Sequence, residues 1–144
     1  MNKTVEYLNP EGACPAQGLY SHVGVFGGGP MMFVAGQLAV APDGSVVGCN
    51  DFGAQFKQVF ANLGDVLRGI NAGWNDVIKF TTYMVHSQDI DTFMGLRADL
   101  FPKLFDGPLF PPNTLLMVDR LVKEEFLVEV EAVVAGHPSC LNSK

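Results

Sequence analysis

The chain has 144 residues, a formal net charge of −6, 48% hydrophobic residues and only 17% charged ones. That length gives one domain, 1–144, with room for a core, and scattered Lys and Arg with no basic patch or basic helix leave no basis for a nucleic-acid partner. No apolar run approaches the ~20 residues of a membrane span, and MNKTVEYLNPEGACP lacks the apolar stretch of a signal peptide, so no membrane association and a cytoplasmic location are expected.

Residues 1–17 read as a Pro, Gly and Ala-rich N-terminal loop. Val23 and Val25 alternate in LYSHVGVF, and the glycine run of GGGP joins that strand to the apolar MMFVAGQLAV, which reads as a hairpin. APDGS is a tight-turn signal, and SVVG reads as a short third strand. Asn50 or Asp51 caps the helix that follows, because a short polar side chain accepts from the free N–H groups of the first turn. Phe52, Phe56, Val59, Phe60, Leu63, Val66, Leu67 and Ile70 form its apolar stripe, and Gly73 sits where it should stop. DVIKFTTYMVHS is apolar or β-branched on both faces, as a covered central strand is. Asp89 caps a second helix with Ile90, Phe93, Leu96, Leu100 and Leu104 on one stripe, limited near its end by Pro102. After the DGPLFPP loop, two strands close the chain, Thr114 to Val118 and Phe126 to Ala135, and residues 136–144 form a tail.

The order β-β(-β)-α-β-α-β-β predicts an α+β two-layer domain, with both helices on one face of a single sheet. Its other face would be bare and too apolar for water, so an oligomer that closes such sheets on one another is expected. In the last strand Val128, Val130, Ala132 and Val134 share one face, and Leu127, Glu129, Glu131 and Val133 the other. Glu131 lies deeper along that face and needs a partner, since an unpaired buried carboxylate costs several kcal/mol; Lys79 on the central strand is the candidate. Cys14, Cys49 and Cys140 are odd in number and widely spaced, without a CxxC pair, so they define neither a metal site nor a disulfide framework. His22 and His86 have no nearby carboxylate or second histidine in sequence that would suggest a triad or metal site, and FGGGP lacks the lysine and following helix of a phosphate loop.

GLYSHV, FVAGQLAV, NLGDVLRGINAGWNDVIKFTTYMV and LLMVDRL…LVEVEAVV, in this order from about Gly18 to Ala135, resemble the RidA/YjgF family of reactive intermediate deaminases. The resemblance implies a chorismate-mutase-like fold, assembled as a homotrimer around a barrel-like core. It implies small-molecule ligands in clefts between subunits, no metal or cofactor, and hydrolysis of imines or enamines with release of ammonia.

The same resemblance assigns residues. Glu129 matches the glutamate that orients the attacking water and is the catalytic candidate. Tyr20 matches the tyrosine after the family's Gly-Pro step, with Leu19 in place of the proline. Ala35 stands where the family has serine, Leu115 where it has cysteine, and Asn113-Thr114 where it has the Arg-Ser pair whose arginine binds the substrate carboxylate. The family's helical asparagine corresponds to Arg97. Tyr20, Ala35, Arg97, Asn113, Thr114 and Leu115 are therefore the expected binding residues.

A guanidinium clamps a carboxylate through two charged hydrogen bonds, whereas asparagine offers a neutral one, a difference of about 1–3 kcal/mol. Two readings follow. Either Arg97 takes over as carboxylate anchor in an imine hydrolase, or the pocket, more apolar through Ala35 and Leu115, is a non-catalytic receptor for another small ligand. Without the resemblance the same residues read more simply. Tyr20 is then an interface aromatic, Asn113 a turn residue after two prolines, Glu129 a paired sheet-face charge, and Arg97 a solvated or rim residue beside Leu96.

Overall fold

The computed structural model describes residues 4–137. Its strands are β1 (Val5–Leu8), β2 (Val23–Phe26), β3 (Met31–Gln37), β4 (Val77–Met84), β5 (Asn113–Met117) and β6 (Val128–Ala135). The helices are α1 (Phe52–Gly69) and α2 (Ile90–Leu104), with short 3-10 turns at Trp74–Asp76 and Ser87–Asp89. Four strands form a mixed sheet in the order β3-β6-β4-β5, antiparallel except for β4 beside β5. β4 and β6 are thus interior strands, and Val128, Val130, Ala132 and Val134 face the helices as the alternation of β6 predicts.

α1 begins as predicted, with Asp51 Oδ1 accepting from Ala54 N at 3.0 Å. It ends earlier than Gly73: Asn71 takes the left-handed conformation, φ 56°, that turns the chain. Gly73 is extended and instead opens the 3-10 turn, its N–H bonded to Asp76 Oδ2 at 2.8 Å. The core between helices and sheet is rich in phenylalanine. Phe60 contacts Phe56 at 4.8 Å, Phe101 at 5.6 Å and Phe80 at 6.1 Å between ring centroids, spacings at which aromatic pairs attract.

Three expectations fail on partnering. Val5–Leu8, expected to be loop, is a strand, and β2 pairs with it rather than forming a hairpin with β3. Val5 and Tyr7 give β1 an apolar side that packs, with Phe26, on Ile78, Val133 and Ala135, so a competing strand takes β2's edge. Gly28 and Gly29, at φ 113° and 109°, carry the chain from this ribbon to the main sheet. SVVG forms no strand; a single bridge joins Val40 and Val46.

The stripe of α2 is also rotated from the expected one. Its buried positions are Phe93, Arg97 and Phe101, an i, i+4, i+8 row, with Leu96, Leu100 and Leu104 flanking the core. On α1 the buried Gln55 tethers the segment that leads into β6. Its Nε2 donates to Gly48 O at 3.1 Å and Glu125 O at 2.7 Å, and its Oε1 accepts from Leu127 N at 2.8 Å.

The sheet face opposite the helices is covered by the β1–β2 ribbon only at the Ile78–Ala135 end. Elsewhere it carries Phe33, 77% exposed, together with Met31 and Leu116. Thr81, Tyr83, Glu129 and Glu131 lie on the same face, with Glu129 opposite Tyr83 and Glu131 opposite Thr81.

Candidate functional site

The open face holds the first group of predicted residues: Glu129, Ala35 and, by its register beside Thr81, Thr114. Glu129 comes closest to β3 where that strand is irregular. Register slips between Val34 and Gln37, opposite the Ala132–Val130 step, so one extra residue bulges there. A Cβ at Gly36 would overlap the Glu129 carboxyl group, so glycine lets that side chain lie where it does. Burial, and secondarily the charge of Glu131, push the Glu129 carboxyl above the usual carboxylate value. Gly36→Ala is expected to displace the carboxyl toward water and return its titration toward the ordinary value, at a stability cost of about 1–2 kcal/mol. Carboxyl-carbon NMR titration of both proteins checks this, and an unchanged Glu129 titration would show that Gly36 does not set its position.

Glu131 has a partner, but it is not Lys79. Tyr83 Oη donates to Glu131 Oε1 at 2.5 Å. Lys79 is exposed and lies opposite Val133, diagonal to Glu131 in the same register, and it makes no ion pair with Glu131. The hydrogen bond to the carboxylate is the main cause that raises the Tyr83 phenol above its ordinary pKa, with burial and the charges of Glu131 and Glu129 adding to it.

The second group lies on the helix side. Asn113 and Leu115 flank Phe80 and Thr82 in the parallel register, on the face that packs under the helices. Asn113 opens β5 rather than forming a turn, and its Oδ1 accepts from the buried Thr82 Oγ1 at 2.7 Å, which leaves the amide N–H groups to donate. Leu115 packs against the main core.

Arg97 departs furthest from its expected rim position. Set between Phe93 and Phe101 on α2, it is only 3% exposed. Its guanidinium carbon lies 5.1 Å from the Phe93 ring centroid and 5.8 Å from that of Tyr20. Nη2 is 3.1 Å from Met94 Sδ, and Nε has no hydrogen-bond partner. Among the described residues no carboxylate pairs with it. Burial lowers its pKa from the ordinary value, yet a guanidinium remains protonated in a protein.

The segment above Arg97 is Gln17–Ser21. Tyr20 Oη accepts from Gln17 N at 3.1 Å, and Tyr20 N donates to Gly18 O at 2.9 Å. A Cβ at Gly18 would come within 2.5 Å of Arg97 Nη2 and 2.6 Å of Met94 Cε, so glycine permits the close cover. Ser21 is 1% exposed, and its Oγ is unpartnered. Sequence reasoning singled out neither Gly18 nor Ser21, although both stand in GLYSHV. His22 Nε2 lies 2.6 Å from Cys14 O and its ring packs edge-on to Tyr20, a local structural use. Cys14 and Cys49 are free and exposed, and Cys140 lies outside the described residues. Among the described residues no group of three or more His, Cys, Asp or Glu is placed to hold a metal ion, and no helix is long and apolar enough to cross a membrane.

The fold has counterparts among known proteins. Residues 11–136 match the family model described as Endoribonuclease L-PSP. A RutC family protein of Synechocystis is 34% identical over 71% of this chain and 75% of its own length. The rat protein named 2-iminobutanoate/2-iminopropanoate deaminase is 26% identical over 74% of each chain. Among solved structures, the Rid family protein YyfB of Yersinia pestis, of unknown function, superimposes with a TM-score of 0.81 at 31% identity, covering 92% of this chain and 98% of that one. The YjgF gene product of E. coli gives a TM-score of 0.66 at 26% identity, over 92% and 99%. With the family model spanning nearly the whole chain and two helices packed on a mixed sheet as in these structures, the chain belongs to the RidA/YjgF family.

Proposed function

We propose that this chain assembles as a homotrimer, binds small molecules in the clefts between subunits, and hydrolyses reactive imines there, or enamines through their imine form. The observation that carries this reading is the division of the candidate residues. Glu129 stands on the open sheet face, while Tyr20 and Asn113 belong to the helix side and its edge. A ligand that meets both groups meets them from two copies of the chain. The 77% exposed Phe33, on the same face, is apolar surface that a second copy would cover. The name of the rat relative supplies the substrate class, a short 2-imino acid.

In this reaction water adds to the C=N carbon, the nitrogen leaves as ammonia, and a carbonyl remains. Glu129 accepts the proton from the attacking water and returns it to the departing nitrogen. Its raised pKa makes it a stronger base for that exchange than an ordinary glutamate. Asn113 donates an amide hydrogen bond to the ligand, Thr114 and Ala35 line the open-face side, Tyr20 offers its ring, and Leu115 supports Asn113 from the core. No cofactor enters the chemistry.

A second reading, a non-catalytic receptor, is favoured by one observation. Asn113 Oδ1 is already engaged by Thr82, so the position where the resemblance implies an arginine carries only a neutral donor. Ammonia release from freshly generated 2-iminobutanoate, measured against the buffer reaction, separates the two. Release above the buffer rate is expected, with light scattering giving the mass of three chains at micromolar concentration. A buffer-level rate with retained binding of 2-oxobutanoate, the stable hydrolysis product, leaves the receptor. A monomer mass overturns the cleft.

A further inference from the structure

We propose that Arg97 is the core of a carboxylate-binding pocket inside one subunit, closed by the Gln17–Ser21 segment acting as a movable strap. The inference deepens the small-acid reading above and rests on it for the ligand class. Its first support is that Arg97 is 3% exposed, carries a full positive charge and has no acidic partner among the described residues. Two aromatic faces and the Met94 sulfur surround it, and none of these neutralises the charge. Buried charges in proteins are ordinarily paired, and a planar guanidinium fork matches a carboxylate through two parallel hydrogen bonds.

The second support is the location of the orphaned polar atoms. The buried unpartnered side-chain atoms among the described residues are Arg97 Nε and Ser21 Oγ, one on α2 and one on the strap. A hydroxyl and a guanidinium are both donors that a carboxylate accepts from.

The third support concerns access. Gly18 sits directly against Nη2, so no ligand reaches the guanidinium while the strap is down. The hydrogen bonds of residues 17–20 run within residues 15–20: Gln17 to Pro15 and to Tyr20, and Tyr20 to Gly18. None ties the strap to α2, so it can lift without breaking a hydrogen bond to the helix beneath. The Tyr20 ring belongs to the strap and comes off the guanidinium with it.

Titration calorimetry with 2-oxobutanoate and with 2-butanone, its size-matched neutral counterpart, tests this on the full chain. The wild type is expected to bind the acid and not the ketone. Arg97→Gln should weaken acid binding tenfold or more, and Arg97→Lys should recover part of it, since it keeps the charge but not the fork. Amide hydrogen exchange at residues 17–21 should quicken when the acid is bound, because the acid takes the place beside Nη2 that Gly18 fills and holds the strap up. Glu129→Gln should retain acid binding, so loss of ammonia release with intact Arg97-dependent binding distinguishes a failed catalytic reading from a failed pocket. Should Arg97→Gln misfold, Arg97→Lys and the exchange rates carry the test alone. Equal acid affinity in wild type and Arg97→Gln, or in wild type and Arg97→Lys with strap exchange unchanged by ligand, overturns the proposal. So does a wild type that binds no 2-oxobutanoate at millimolar concentration.

Discussion

Glu129→Gln is expected to lower the rate of 2-iminobutanoate hydrolysis by about 10²–10⁴-fold, the usual contribution of a positioned acid–base group, while the melting temperature stays nearly unchanged. Glutamine fills the same space beside Gly36 but accepts no proton from water. The pH profile of the wild type follows from the raised carboxyl. Activity needs the ionised form, so the rate should rise with pH to a midpoint above the ordinary glutamate value. Stability runs the other way. A carboxyl whose folded pKa is raised favours the protonated state, so it costs nothing below the unfolded pKa and destabilises increasingly as pH rises to the folded one. At neutral pH the neutral glutamine removes that cost and should be neutral to slightly stabilising. Glu131→Gln should do the reverse, because it loses the charge-assisted bond from Tyr83: a lower melting temperature with turnover largely kept. If Glu129→Gln melts early and still turns over, Glu129 is structural and Glu131 is the better candidate.

The second large effect falls on stability. Gln55→Leu should destabilise the fold by about 3 kcal/mol or more, because it removes the partner of Gly48 O, Glu125 O and Leu127 N together. Each backbone group left buried without a partner costs about 1–3 kcal/mol, partly offset by water and relaxation at the half-buried Gly48 and exposed Glu125 ends. For a chain of this length that is a fall in melting temperature of roughly 10 °C. Gln55→Glu keeps the acceptor for Leu127 N but turns a buried carboxylate oxygen toward two carbonyls, and should destabilise at least as much at neutral pH. Urea unfolding checks the order, and a loss under about 1 kcal/mol for Gln55→Leu would show that water replaces the amide. Gln55 lies far from the candidate site in its role: it holds the turn that launches β6, and so fixes the register that points Glu129 to the open face.

The site reading and the fold reading were legible to different depths, for one physical reason. Features that depend on neighbours in the chain could be read from residue spacing. Asp51 reaches the N–H three residues on, the α1 stripe recurs every helical turn, and alternation in β6 assigns Val130 and Glu129 to opposite faces whatever lies beside them. The ordered motifs added the family and the two-layer fold. Features that depend on which distant segment arrives were not readable. β1 took the edge of β2 that a local hairpin would have used, because Val5 and Tyr7 found an apolar seat on Ile78 and Ala135. Tyr83 reached Glu131 across the strand pair, where a charge rule pointed to Lys79, because both Tyr83 and Lys79 lie diagonal to Glu131 and the phenol, not the exposed ammonium, makes the bond. Arg97 looked like a rim residue beside Leu96; the tight cover by Gly18 and the row of Phe93 and Phe101 put it inside. Periodicity reports how a segment divides its own faces, whereas the partner of each face, and hence the burial and pKa of Glu129 and the isolation of Arg97, is settled when segments tens of residues apart compete for the same surface.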